Sequence, residues 1–549
     1  MRSMIKKLFT GQINSITVAA LLVALSSLAS RLLGIFRDRI LAGQFGAGDT
    51  LDIYYAAFRI PDLIYNLIVL GALSAGFIPI LTKLIKDYKC EGVHTNSTTN
   101  QEAWNATNNV LNILSLSLII ISILGFLFSP YLTKLIAPGF SLEKQALTAS
   151  LTRIMFLSPL FLGISSILGG ILQAFKRFFI YSLSPIFYNI GIIVGALYFV
   201  PLWGVRGLAW GVAVGAFFHM AVQIPAVLKL GYRYSFKFNF KDIHTIQIGA
   251  MMIPRTMSLA VSQINFIVIT IIASTLAGGS LAVFNLANNL QSFPVGIFGL
   301  SFAVAAFPAL SAIAFNKKKL IDSFSNIFRQ ILFFIVPSTV LLLTLRAQII
   351  RVILGTGQFD WNDTILTLNT LGFFSISLFA QASIPLLIRV FYARHDSKTP
   401  FYIGLICVAV NVFLSIFLNK KLGVAGLALA FSISSILNFI LLWLILKLEI
   451  GEMDEVRILF STIKFSLSAL AGGITVQIMK ILVWPFVDMT KVWGVATQGF
   501  LAAIFGIAAY LLFCYLLRSE ELFNFLDSLK RRLSWKKVET VDQGEARGI

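Results

Sequence analysis

Long apolar runs separated by short polar breaks repeat along almost the whole chain. Fourteen lie near residues 15–36, 51–82, 107–136, 148–174, 182–200, 206–229, 247–277, 281–314, 324–346, 364–393, 401–418, 423–447, 460–483 and 494–517. A helix needs about 20 apolar residues to cross a hydrocarbon layer. The pattern therefore predicts an all-α polytopic membrane protein with 14 transmembrane helices. The second, eighth and tenth runs are long enough to tilt or kink, and Pro61, Pro294 and Pro385 interrupt them by removing backbone donors. Composition excludes a soluble domain. Only 12% of residues are charged and 57% are hydrophobic, whereas soluble domains carry about 25% charge. The basic start, "MRSMIKKLFTGQINSIT", runs into apolar sequence without a small-residue cleavage site and reads as a first spanning helix.

The pattern repeats internally. "GVRGLAWG" (204–211) returns as "GVAGLALA" (423–430), "FGAGDTLDIYYAAFR" (45–59) is echoed by "LAGGSLAVFNLANN" (276–289), and "GALSAGFIPIL" (71–81) by "GLSFAVAAFPAL" (299–310). Two pseudo-symmetric six-helix lobes follow, residues 1–230 and 245–447. Two extra C-terminal helices (460–517) and a basic tail (518–549) lie outside the repeat. Facing repeats suit alternating access to a site near the midplane.

Charge sets the orientation. With the N-terminus inside, the inner segments hold 26 Lys and Arg residues and the outer ones 10, which predicts that both termini are cytoplasmic. The net charge of +20 would suggest nucleic acid in a soluble protein; here the inner loops account for most of it. The tail "LKRRLSWKK" (529–537) is expected on anionic headgroups. Three cysteines without CxxC spacing and four scattered histidines give no metal site or disulfide framework.

Eight cations fall within the runs: Arg31, Arg59, Arg153, Arg255, Arg329, Arg389, Lys464 and Lys480. Such residues turn toward a cavity or a partner, or snorkel to the headgroups. Arg329, Arg389, Lys464 and Lys480 lie near helix ends and are expected to snorkel. Arg31, Arg59 and Arg255 belong to the first helices of the two lobes and are expected to share one cavity; Arg59 could instead pair with Asp52 or Asp62. Cations in such excess over carboxylates call for an anionic substrate, and guanidinium groups match pyrophosphate bidentately.

The stretch "SRLLGIFRDRILAGQFGAGDTLDIYYAAFRIPDL…GALSAGFIPIL" resembles the MurJ (MviN) family of lipid II flippases, in the multidrug/oligosaccharidyl-lipid/polysaccharide (MOP) exporter superfamily. "SLAVFNLANNLQSFPVGIFGLSFAVAAFPAL" (280–310) and "YARHDSKTPFYIG" (392–404) are similar to later parts of that family, so the likeness covers nearly the whole chain. It implies transfer of undecaprenyl-pyrophosphate-linked disaccharide pentapeptide from the inner to the outer leaflet of the bacterial plasma membrane, for peptidoglycan synthesis and cell wall biogenesis. It also implies a lipid-tail groove along 460–517, and the peptidoglycan synthesis machinery and membrane lipids as partners. By position, the family's site residues fall on Arg31, Arg37, Asp38, Asp52 and Arg59. The chain departs from the family at Tyr65, Asn289 and Ser292, where many relatives carry charge. Asn288, Asn289 and Gln291 are expected to bond sugar or phosphate in their place, and Arg255 to restore part of the charge.

The turns "FGAGD" (Gly46, Gly48) and "AGG" (Gly278, Gly279) occupy matching repeat positions and are expected to act as hinges or gates. The activity needs no covalent chemistry and no cofactor; coupling to membrane potential or to a monovalent cation is compatible with it. Three rivals remain. One is a flippase for another polyprenyl-linked glycan. Another is a membrane enzyme, for which Asp360 and Asp363 are the close outer carboxylate pair. The third is a non-transporting scaffold. The acidic "EIGEMDE" (449–455) is expected to be a solvated linker.

Overall fold

The computed structural model describes residues 16–70, 76–90 and 99–533, with the side chains of Arg255 and a few others outside that description. Helix accounts for all regular structure among the described residues. Ten helices there are long and apolar enough to cross a membrane, or eleven if the bent pair Trp361–Ser375 and Leu378–Ala393 counts as one span. The fold is thus that of an all-α, multi-span membrane protein, although the described residues do not reach fourteen uninterrupted spans. Ile16–Phe45, Asp49–Ile64 and Ile243–Ser274 are helical at three further predicted positions. The second passes directly into Tyr65–Leu70, and the described apolar stretch of the third is Leu259–Ser274.

The long runs break as local chemistry dictates. Asp49–Ile64 contains Pro61 and passes into a π-turn, Tyr65–Leu70. Ser280–Pro294 ends at its proline and passes into Val295–Leu300, also a π-turn. The repeat thus carries one irregularity twice, in each case within about one turn after a proline that cannot donate. The tenth run breaks elsewhere than expected. Its 47° bend falls between Ser375 and Leu378, while Pro385 lies inside Leu378–Ala393.

Glycines explain the repeated "GVxG". Gly204 and Gly423 have φ of +59° and +56° and reverse the chain between helices, a backbone that residues with a Cβ rarely adopt. A Cβ on Gly207 would overlap the backbone of Phe199, and one on Gly426 the carbonyl of Leu418. Phe178–Val194, its continuation Gly195–Phe199, and Arg206–Ala221 then pack backbone to backbone through Gly191, Gly195, Gly211 and Gly215. A Cβ on Gly211 would lie 2.6 Å from the Gly195 Cα. In lipid, where apolar burial drives no helix pairing, close backbone approach supplies the attraction.

The chain forms two compact units. The first comprises Met1–Phe293, Ile350–Ser377 and Asp396–Leu441; the second comprises Pro294–Ile349, Leu378–His395 and Leu442–Ile549. In the first, Ile16–Phe45 lies against Phe178–Val194, and Asp49–Ile64 against Leu142–Met155. Its interior is built on Phe77, Leu118, Ile167 and Ile171.

In the second unit, Glu455–Val483 packs on Val492–Leu516. Here two expectations fail. Arg329 does not snorkel: it is 2% exposed and pairs with Glu521, itself 3% exposed. Its guanidinium also donates to Asn326 Oδ1 at 2.6 Å, while Ser461 and Ser519 donate to the same Glu521 at 2.9 and 2.8 Å. The partner escaped the span-by-span reading because Glu521 lies beyond the last apolar run. Nor is 449–455 a solvated linker. Glu455 pairs with Lys447 at 2.8 Å, Asp454 accepts from Ser325 at 2.6 Å, and Met453 is buried. Lys464 and Lys480 donate to the carbonyls of Arg518 (3.3 Å) and Thr344 (3.2 Å). Of the tail, Glu520–Leu533 is helical, and 534–549 lie outside the described residues.

Two outcomes are expected. Gly211→Val should lower the thermal midpoint in detergent by the equivalent of about 2 kcal/mol, whereas Gly249→Ala, with nothing within 4 Å of the new carbon, should shift stability by under about 0.5 kcal/mol. The Arg457 hydrogen bond holds the Glu520 carboxyl below the usual carboxylate range. Its stabilisation is therefore complete above the ordinary Glu pKa and disappears as pH falls through the depressed folded value. Hydrogen exchange in 455–464, corrected for intrinsic rate, should stay level down to about pH 5 and accelerate below about pH 4.

Candidate functional site

A cavity of about 310 Å³ lies within the first unit. The helix Ile16–Phe45 contributes Arg37 to its wall, Asp49–Ile64 contributes Tyr54, Tyr55, Phe58, Arg59 and Asp62, and Phe178–Val194 contributes Tyr188. Ile243–Ser274 adds Gln263 and Phe266, and Ser280–Pro294 adds Asn285, Asn288 and Asn289. The two helices carrying the echoed sequences at 45–59 and 276–289 therefore supply most of the lining.

Each arginine is fixed by its neighbours. The Arg37 guanidinium donates to Asp38 Oδ1 through Nε (3.0 Å) and Nη2 (2.7 Å), and to Asn189 Oδ1 through Nη1 (3.1 Å). The other oxygen of the buried Asp38 accepts from Asn289 Nδ2 at 2.9 Å. Arg59 donates through Nε to Thr270 Oγ1 (2.8 Å) and through Nη2 to Asn285 Oδ1 (2.7 Å), and lies 5.4 Å over the Phe266 ring. A guanidinium has five N–H donors in a rigid fork, so three on Arg59 are not used by these two bonds. Phe266 supplies a cation–π face where the side chain is out of water.

The structure sorts the sequence-predicted residues. Arg37, Arg59, Asn288 and Asn289 line the cavity. Asp38 sits behind Arg37 and Asn289, and the buried Gln291 donates to Asn288 Oδ1 at 3.0 Å. Arg31 is half-buried and is not among the lining residues; six residues on a helix correspond to 240°, which turns it well away from Arg37. The Arg255 side chain lies outside the described residues. Asp52 is 2% exposed and away from the cavity. Its carboxylate accepts the N–H groups of Gly279 (2.7 Å) and Ala282 (2.8 Å), satisfying orphan donors at the start of Ser280–Pro294. At the departing positions, Ser292 bonds its own helix through the Asn289 carbonyl at 2.9 Å, and Tyr65 lines a separate small crevice with Asp62 and Tyr188.

Several lining groups carried no distinguishing sequence signal, because Tyr54, Tyr188, Gln263 and Phe266 stand inside apolar runs. Asn285 was within reach: it precedes Asn288 by three residues and so shares its helical face.

About 15 Å along the helix from Arg59, ten residues back at about 1.5 Å each to Asp49, the two glycine turns close against each other. Gly279 has φ +86°, and a Cβ there would overlap the Ala47 carbonyl; a Cβ on Gly278 would overlap the Asp49 carboxylate. Gly46 has φ +61°, and its Cβ would lie 2.9 Å from the Gln358 carbonyl. Gly48 meets no such obstacle closer than 3.4 Å. Asp49 pairs with Lys144, the Ala47 N–H donates to Asp363 Oδ2 at 2.8 Å, and the Gln358 N–H to the Gly43 carbonyl at 2.8 Å. The carboxylate pair Asp360 and Asp363 is committed as well: the two form a capping box at the start of Trp361–Ser375.

Gly279→Ala is expected to separate these turns, raising hydrogen exchange in 46–52 and 277–282 roughly 5- to 30-fold for a strain of about 1–2 kcal/mol. Gly48→Ala should leave both segments unchanged.

The geometry can be set beside known proteins. The family model "Lipid II flippase MurJ" matches residues 41–497. The probable lipid II flippase MurJ of Vibrio cholerae is 30% identical over 91% of this chain and 95% of its own length. That of Thermotoga maritima is 30% identical over 92% and 97%. A solved lipid II flippase MurJ in an inward closed conformation superposes with a TM-score of 0.71 at 25% identity, covering 93% of this chain and all of that one. An inward-facing multidrug resistance MATE family transporter of the MOP superfamily shares the fold, with a TM-score of 0.64 at 14% identity over 80% of this chain and 99% of its own.

Proposed function

The chain belongs to the MurJ family of lipid II flippases, and from that premise we propose that its cavity holds the pyrophosphate of lipid II while the headgroup passes from the inner to the outer leaflet. One observation carries the reading: Arg37 and Arg59 both line one cavity, with their forks pre-oriented by fixed partners. A planar guanidinium with open donors meets phosphate oxygens bidentately, and pre-orientation lowers the ordering cost of doing so.

Recognition here works by direction more than by net charge. Asp38 offsets Arg37 and Asp62 lines the same wall, so the site attracts an anion through aimed N–H groups rather than through a strong field. Asn285, Asn288, Asn289 and Gln263 supply amides suited to sugar hydroxyls. Arg31 and Arg255 extend the cationic path, and Asp52, Asp38 and Gln291 hold the elements in place. The proposed lobes are 1–230 and 245–447, with 460–517 grooved for the polyprenyl tail and 518–549 on the inner headgroups. The termini are cytoplasmic and the bilayer is the bacterial plasma membrane, where the peptidoglycan synthesis machinery consumes the product.

Size argues for motion. At about 310 Å³ the cavity is at the lower end for sites that bury drug-sized ligands. A disaccharide pentapeptide is larger than that, so the lobes must part to admit it. With the termini inside, the sealed glycine turns face outward and the substrate enters from the cytoplasmic leaflet. Rocking would open the Ala47–Gly279 contact and release the headgroup, with no covalent bond made or broken. Membrane potential or a monovalent cation would bias the cycle.

In proteoliposomes, Arg59→Ala and Arg37→Ala should each slow lipid II transfer roughly 10- to 100-fold, the loss of one or two charge-assisted hydrogen bonds; Arg31→Ala should cost less than either. Folded variants that transfer at the wild-type rate would refute the assignment. Survival of cells depleted of their own lipid II flippase would separate lipid II from other polyprenyl-linked glycans and from a scaffold role.

A further inference from the structure

The helix Thr99–Ile136 opens with "NATNNVLN" (105–112), a polar cluster that the cavity does not use. Its asparagines, at 105, 108, 109 and 112, follow helical spacing and so form one face. Asparagine is a poor choice for a helix interior, and the structure shows why it is there. Asn108 donates to the Arg233 carbonyl (2.9 Å) and Asn112 to those of Ser235 and Lys237 (3.1 and 3.0 Å). Asn109 both donates to the Asn239 carbonyl (2.8 Å) and accepts its N–H (2.7 Å). Tyr232 and Tyr234 give their hydroxyls to Asn108 and Asn112. The stripe clamps the backbone of the connector between the helices Ile224–Leu228 and Ile243–Ser274.

A connector held by its backbone can spend its side chains outward. Phe236 is 78% exposed and Phe240 68%; Phe238 sits between them, its ring 5.0 Å from that of Phe236. Lys229, Arg233, Lys237 and Lys241 are also exposed, one every four residues. The single carboxylate of 229–246 is Asp242, and it is occupied by the N–H and hydroxyl of Thr245 at 2.9 and 2.8 Å. The opposing helix brings one more, Glu102, 3.5 Å from His244. Both flanks carry exposed apolar residues of membrane helices, Leu228 on one side and Ile243 and Ile246 on the other. Rings and cations interleaved at the edge of a hydrocarbon layer match an interface whose outer part is anionic.

We propose that residues 229–246 form a strap seated on anionic phospholipid headgroups, with the four cations on lipid phosphates and Phe236, Phe238 and Phe240 at the acyl boundary. The asparagine face passes this anchorage to Thr99–Ile136, so lipid charge sets the position of the connector between the two proposed lobes. The occupant is lipid, because the aromatic rings need an apolar phase beside the anionic one, and the flanking helices end in that phase.

The test places the full chain in nanodiscs of phosphatidylcholine with either no phosphatidylglycerol or about 40%. Hydrogen exchange in 229–246 should slow at least tenfold in the anionic discs. The triple variant Lys229→Gln, Lys237→Gln, Lys241→Gln should abolish that difference. Removing about 1 kcal/mol per cation corresponds to on the order of 100-fold in affinity for the anionic surface. Phe236→Ser with Phe240→Ser should speed exchange in both discs. All these positions are exposed, and unchanged melting in detergent verifies the fold. Equal exchange in both discs, or a lipid-charge difference that survives the triple variant, overturns the proposal. So does protection that appears only on adding soluble polyglutamate, an outcome that would assign the strap to an acidic protein.

Discussion

A guanidinium in the hydrocarbon layer must be solvated by the protein itself, and the first unit is arranged around that requirement. A charge at the centre of a bilayer costs at least about 2.5–3.5 kcal/mol on insertion scales. Arg59 meets it with a threonine hydroxyl, an asparagine amide and an aromatic face drawn from two other helices; Arg37 meets it with Asp38 and Asn189. These partners lie 152 to 226 residues away for all but the adjacent Asp38. Burying the charges therefore fixes which helices must meet. The same bonds leave donors over, and the leftover donors are what a phosphate can use. Fold and binding capacity come from one demand.

Backbone contact is the complementary device. Where a side chain would keep helices apart, the chain places glycine. The requirement differs by site: Gly204 and Gly423 supply positive φ, whereas Gly211 and Gly215 supply space alone. At the glycine turns both are needed at once, since Gly279 has positive φ and also touches Ala47. Such a contact has little tolerance. It is either closed to the backbone or open, the property that the proposed gate requires.

Periodicity and motif spacing revealed much of this and missed definable parts. Apolar run length located the helices because hydrocarbon thickness sets it. The repeated "GVxG" was legible because the same turn is built twice. Arg59 was legible because a cation inside an apolar run is costly, whereas Arg37 came only through the resemblance; both line the cavity. Arg31 was grouped with Arg59 and Arg255 because all three stand on the first helices of the lobes; it is not among the residues that line this cavity. Arg329 was misjudged because a run-by-run reading cannot see Glu521 beyond the last span. Asp52 looked like a substrate ligand by resemblance, yet its carboxylate serves two backbone N–H groups. The aromatic and amide lining was hidden because Tyr188 or Gln263 in an apolar run announces nothing until another helix lies opposite.

The placement of Asp52 links seal to cavity. Its carboxylate holds the N-terminus of Ser280–Pro294, where the helix dipole already favours negative charge. Asn285, Asn288 and Asn289 ride on that same helix, about one and a half to two and a half turns on, and Arg59 rides on the helix that carries Asp52. Parting the glycine turns would break both carboxylate bonds and leave a desolvated anion, unless the two helices moved far enough for water to reach it. Partial opening is thus the unfavourable arrangement. The helix that presents Asn285 to Arg59 cannot drift by small degrees; it stays docked or leaves together with its share of the cavity wall. In the proposed cycle, an anion held across Arg37, Arg59 and the asparagines would feel that departure directly, which would make release a consequence of parting the glycine turns rather than a separate step.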